Sequence, residues 1–214
     1  MTEAEQLAAA LRQDFAGLTP WSDRAMTRPT AVRVLDVVLS LRRADDRPVS
    51  ERLDAFERRF PAVEQLPQLR ALLQSYKSQA TFARDVLDLP EPSVVSVLRG
   101  LLDWLIRAID GPGAEVERLR MWAQRARPQD YLKVPVQGLG LAGFQHLRVL
   151  YGANTARPDV TTGRYVALVI GRPVADVQGL RLLEEAAQLA QVKLADIDPV
   201  AWSAGLESRR AAGA

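Results

Sequence analysis

Two features of this sequence have the residue types and spacing to do chemistry, and both lie between Tyr131 and Arg164. The first is Gly138-Leu139-Gly140, a turn bracketed by residues that reach backbone angles closed to side-chain-bearing ones. Bare glycines let an anion approach the backbone N–H groups, and a helix opening near Leu141 would aim its positive end at that anion. The second is Asp159, directly after Pro158. A carboxylate is one of the side chains that can serve as an acid–base group. Each feature also has a plain structural reading. Gly-x-Gly serves equally as a connector between helices, and an aspartate before Val160-Thr161-Thr162 makes a good helix N-cap. The two can share a groove. A helix of about 11 residues after Gly140 advances about 16 Å, and the loop Gly152–Pro158 spans up to ~23 Å, enough to bring Asp159 back.

Composition limits what else is possible. The chain has 214 residues, 48% apolar and 25% charged, which is ordinary for a globular protein with a real core. It contains no cysteine and a single histidine, His146. A disulfide frame, a thiolate-held metal, an iron–sulfur cluster and a multi-histidine metal site are all excluded. No loop has the spacing of a carboxylate metal site, so no metal or cofactor is expected. Net charge is +2, with 25 arginines against three lysines. Arginine suits phosphate recognition, but a near-balanced total requires any basic surface to be local. The N-terminus is acidic and amphipathic, unlike a targeting peptide. The most apolar run, Val94 to Ile109, is interrupted by Arg99, Asp103 and Arg107 and does not span a membrane. A cytoplasmic monomer is expected.

The elements that must position these residues read as helices throughout. Leu7, Leu11 and Phe15 define a helix over 3–16, followed by an extended connector to Pro29. A helix from Thr30 ends near Arg42, and the next has Ser50 as its N-cap with Leu53, Phe56 and Phe60 on its buried face. Shorter helices follow at 69–76 and 79–88. Residues 93–109 are apolar nearly all round, the pattern of a centrally buried helix. Charged helix 115–126, brief helix 129–133, and helices near 141–151, 160–170, 177–190 and 195–204 complete the chain, with a frayed 207–214 tail. No alternating strand pattern occurs, so the fold class is all-α.

The order Val134-Pro135-Val136-Gln137-Gly138-Leu139-Gly140, then an apolar helix ending Tyr151-Gly152, then Pro158-Asp159 and Arg164, resembles the helix-hairpin-helix DNA glycosylase superfamily, the endonuclease III-like group. The aspartate-to-arginine spacing of that family is kept, and Val37-Val38-Leu39-Ser40 is similar to the end of an early helix in it. The resemblance runs from about residue 31 to 190. It implies a two-lobed helical glycosylase-like fold, with one lobe over residues 30–150 and a second built from 1–29 plus 151–214. It implies double-stranded DNA as the partner, with Gly138, Leu139, Gly140, Leu141 and Ala142 on the phosphate backbone. Asp159 would be the catalytic carboxylate, and Arg42 or Leu41 the wedge that fills the emptied base stack. Arg42-Arg43 also reads as a solvated helix end. Trp21, Tyr131 and Trp202 are candidates to stack on a base or to sit in the core, and His146 is expected on the surface or facing phosphate.

Departures narrow the expectation. Ala142 stands where bifunctional members of the family carry a Schiff-base lysine, so lyase chemistry by that route is not expected. Gln137, Phe144 and Thr161 replace the usual proline, small residue and histidine, and the C-terminal cysteine cluster is missing. The implied activity is that of a monofunctional glycosylase removing a damaged or mismatched base. Two alternatives stand beside it: a non-catalytic helix-hairpin-helix DNA binder, and a helical protein-interaction domain whose glycine turn has no ligand.

Overall fold

The structure, a computed structural model, describes residues 1–15, 17–18, 24–41, 48–197 and 199–212. The described residues are all-α and contain no strand. In order the helices are α1 (Glu3–Phe15), α2 (Thr30–Ser40), α3 (Val49–Arg59), α4 (Leu66–Ser75), α5 (Gln79–Leu87), α6 (Ser93–Ala108), α7 (Glu115–Arg125), α8 (Gly140–Leu150), α9 (Val160–Ile170), α10 (Asp176–Ala190) and α11 (Pro199–Ala212). A 3-10 helix, Pro128–Lys133, leads into the glycine turn. No helix among the described residues is long and apolar enough to cross a membrane.

Apolar side chains gather into two clusters. The first is built by α2 to α8 around α6, whose Val95, Leu98, Leu101, Leu102 and Leu105 are fully buried. That follows from a helix with only Ser93, Ser96, Arg99, Arg107 and Ala108 exposed along its length. The second joins α1, α9, α10 and α11 and is centred on three aromatics. Trp202 meets the rings of Phe15 and Tyr165 at 5.0 and 5.3 Å between centroids, both edge-on. α8 lies between the clusters. Phe144, Leu147 and Leu150 belong to the first, whereas Leu141 packs on the second.

Three helix starts converge on one carboxylate. Glu115, buried in the first turn of α7, accepts from the Thr30 hydroxyl at the start of α2 and from the Leu66 N–H of α4 at 3.1 Å. Helix N-termini carry partial positive charge, so the buried anion is held where helix dipoles favour it.

Several helix boundaries differ from expectation for identifiable reasons. α3 starts at Val49, capped by Pro48 without a side-chain bond, so Ser50 lies inside the first turn and is not the N-cap. α4 starts at Leu66, ahead of 69, because Gln65 and Gln68 form a capping box and Pro67 sits where no N–H is required. The 207–214 tail is helical through Ala212: Leu206 packs into the second cluster, and Arg209 pairs with Asp14 of α1.

Candidate functional site

The glycine turn is built on α6. Gly138 and Gly140 have φ of +91° and +59°, left-handed values that a side chain would strain. Behind them, Val136 packs where α6 has Gly100, and a Cβ at Gly138 would come 3.3 Å from Val97 Cγ2. Leu139 turns inward. Its side chain is buried and its N–H donates to Val136 O at 3.3 Å. Of the expected contact residues, Leu139 therefore has its side chain in the core and its N–H engaged. Leu141 is half-buried against the second cluster, and Gly138, Gly140 and Ala142 are exposed. α8 has no side-chain cap, so its opening N–H groups lack intrahelical acceptors and form its positive end.

Close packing joins this turn to α2. A Cβ at Gly143 would lie 2.9 Å from both Leu139 Cδ1 and Leu41 Cδ2. Leu41 is partly buried there. Arg42 and Trp21 lie outside the described residues.

After α8 the chain reverses. Gly152, with φ +87°, donates to Val149 O and Ala153 N–H donates to Arg148 O, each at 2.9 Å; this is a Schellman ending. The loop then runs back along the helix. Gln145 Nε2 donates to Thr155 Oγ1 at 2.8 Å and reaches Ala156 O at 3.5 Å. Gln145 is about one and a half turns, ~7.5 Å, from Gly140, so the loop retraces roughly half of α8. Asn154 pins it to the end of α10 through Val192 O and Leu194 N–H.

Asp159 follows three residues after Ala156. It is exposed and caps α9, with Oδ1 accepting from Thr162 N–H at 2.7 Å. Its Oδ2 has no hydrogen-bond partner among the described residues. The carboxylate forms part of a recess of about 80 Å³ that also includes Thr155, Ala156, Arg157, Thr162 and Trp202. That volume holds a few waters. Arg164 is exposed on α9. No hydrogen bond joins Asp159 to the glycine turn among the described residues. Of the candidate stacking aromatics, Trp202 is buried in the second cluster and Tyr131 packs against the first.

Sequence reasoning missed the polar interior of α8. Arg148 is buried and reaches three partners. Its Nε donates to Ala123 O at 3.2 Å, and its terminal nitrogen donates to Gln145 Oε1 at 2.8 Å and Glu184 Oε1 at 2.6 Å. The arrangement ties α7, α8 and α10 together. His146 is also inside and not on the surface as expected, because α8 is packed by both clusters. Its Nε2 is 3.4 Å from Asp36 Oδ1 on α2. Burial, helped by the Arg157 guanidinium, pushes the imidazole down to about 3. Loss of hydration is the larger cause for a ring so enclosed. The available signal was a run of polar residues, Gln145, His146 and Arg148, among the apolar positions of one short helix.

Among the described residues, no three histidine, cysteine or acidic side chains group as metal ligands. No protein-family model, curated protein or solved structure matches this chain.

Proposed function

We propose that this protein is a monofunctional DNA glycosylase of the helix-hairpin-helix type. The turn Gly138–Gly140 and the start of α8 would seat a phosphate of duplex DNA, giving affinity without sequence information. A nucleotide extruded from the duplex would then face Asp159. As the base departs, the deoxyribose becomes cationic. The carboxylate stabilises that charge and orients the water that attacks the sugar. With Ala142 in place of a lysine, the product is an abasic site and the strand stays intact.

One observation carries this reading. The loop after α8 doubles back along the helix as far as Gln145 and ends at an exposed carboxylate with one oxygen unbonded, beside a small recess. The test is incubation with duplexes that each carry one altered base, followed by alkali and gel analysis. Wild-type protein is expected to leave alkali-labile sites on at least one duplex, and Asp159→Asn to bind that duplex without cleaving it. A folded, DNA-binding wild type that leaves no such site on a broad panel would refute the reading.

A second reading follows from the cap. Because Asp159 Oδ1 already holds Thr162 N–H, the carboxylate has a sufficient structural reason to exist. The protein would then be a non-catalytic DNA binder, and Asp159→Asn would change neither its DNA affinity nor its cellular role.

A further inference from the structure

α8 carries a polar side chain that its surroundings do not satisfy. His146 is 5% exposed, and its Nε2 has no hydrogen-bond partner among the described residues. A buried nitrogen left this way weakens the fold, since it has lost its hydration and gained nothing in exchange. Such local violations concentrate at functional sites.

The position of the ring gives the violation a direction. Successive residues turn about 100° around a helix, which sets His146 between two sides of α8. On one side Gly143 meets Leu41 of α2. On the other, Gln145 binds the returning loop, and Val149 lines the recess that contains Asp159. Exposed Ala142 lies one turn nearer the glycines on the same stripe. His146 therefore faces the seam between the two apolar clusters. Asp36, across the seam on α2, is steadied by Ser40 Oγ, which donates to it at 3.1 Å. Arg157, from the loop, acts on the ring electrostatically and lines the recess with Asp159. The imidazole is neutral at physiological pH, so it offers one donor and one acceptor.

Resting on the glycosylase reading, we propose that His146 is a specificity-determining residue that reads the hydrogen-bonding edge of the extruded base. The ring is enclosed in the free protein, so a base reaches it only when DNA opens the seam. A base with a donor and an acceptor on its edge satisfies the imidazole. A nonpolar isostere of the same shape leaves it unsatisfied, and a site with buried polar groups rejects such an analogue.

The experiment uses His146→Leu and His146→Gln in the full chain. Three quantities are measured: single-turnover release of a base that wild type removes, release of its nonpolar isostere, and affinity for a duplex containing a tetrahydrofuran abasic analogue. The unfolding midpoint is recorded for each protein. His146→Leu is expected to unfold at the same temperature or higher, and to bind the tetrahydrofuran duplex within twofold of wild type. Its preference for the polar base over the isostere should fall at least tenfold. His146→Gln, whose amide places donor and acceptor differently, should change the rank order of released bases. If wild type is active and both variants keep its preference and rank order, His146 only fills space, and the glycosylase reading stands without this proposal. If His146→Leu does not fold, an unchanged rank order in His146→Gln overturns the proposal alone. Wild type that releases no base from any duplex overturns the proposal and the reading beneath it.

Discussion

His146 and Arg148 are two residues apart on α8, both almost wholly buried, and their surroundings treat them in opposite ways. Arg148 has a partner on each of three sides: Ala123 O, Gln145 Oε1 and Glu184 Oε1. Gln145 passes the network on to Thr155 in the returning loop. His146 has only a carboxylate too poorly aligned to bond its Nε2. A satisfied polar network fixes how elements meet, whereas an unsatisfied buried group costs stability. The contrast separates a contact that holds the two clusters together from a group that the fold leaves unsatisfied.

Asp159 tests that division most severely, because one oxygen caps α9 and the other has no hydrogen-bond partner among the described residues. Asparagine is as good an N-cap as aspartate, so Asp159→Asn keeps the bond to Thr162 and removes the charge. Base release is expected to fall by about 10²–10³-fold or more, the usual consequence of deleting a group that stabilises transition-state charge. The unfolding midpoint should barely move. Base release that survives in Asp159→Asn would put Asp159 in the same class as Arg148, a part of the frame.

The frame itself should break at Arg148. In Arg148→Met the Glu184 carboxylate, also buried, is stranded, and the expected loss is about 3–5 kcal/mol of stability in urea unfolding. Adding Glu184→Leu removes the stranded charge, and the double variant should recover most of that loss. If the single change costs under about 1 kcal/mol, the network is not what joins α8 to α10.

His146 predicts a pH dependence with a definite sign. Its folded value is depressed to about 3, below the ordinary 6.5. Between those values the unfolded chain binds a proton that the folded chain does not, so stability rises with pH. It is complete above about pH 6.5 and is lost as pH falls toward 3, by up to about 1.4 kcal/mol per pH unit. Urea unfolding at pH 7, 6, 5 and 4 should show a shallower decline in His146→Leu than in wild type. Parallel curves would mean that the ring takes up its proton without unfolding, with Asp36 stabilising the imidazolium. The seam would then be an ion pair like that of Arg148.

The sequence made some of this legible. The apolar circumference of α6 marks a central helix, and glycine at 138 and 140 marks backbone angles that the structure has. Pro158-Asp159 before two threonines marks the α9 cap. The interior of α8 was hidden, for a physical reason. A helix packed on opposite sides by separate clusters needs no continuous apolar stripe, so its buried polar residues imitate a solvent face. Their partners lie far off in sequence as well: Asp36 is 110 residues before His146, and Glu184 is 36 after Arg148. Tail residues 207–212 looked frayed because nothing local holds them. Arg209 is held by Asp14, 195 residues away.

The glycine turn gives the finest version of the comparison, since one substitution there touches both frame and function. Gly138→Ala forces a side chain into φ +91° and brings its Cβ to 3.3 Å from Val97 Cγ2. The expected cost is about 1–3 kcal/mol of stability. If the turn also seats a phosphate, the added methyl should weaken duplex binding. The slope of log affinity against log salt should then be shallower by about 0.9 for each phosphate that the protein no longer neutralises. Gly171→Ala is the control: it shares the left-handed strain at φ +79°, meets nothing within 4 Å, and lies at the far end of α9 from Asp159. Equal stability loss with a changed salt slope only in Gly138→Ala would assign the turn to DNA. Identical salt slopes in both variants would leave it a connector between the 3-10 helix and α8.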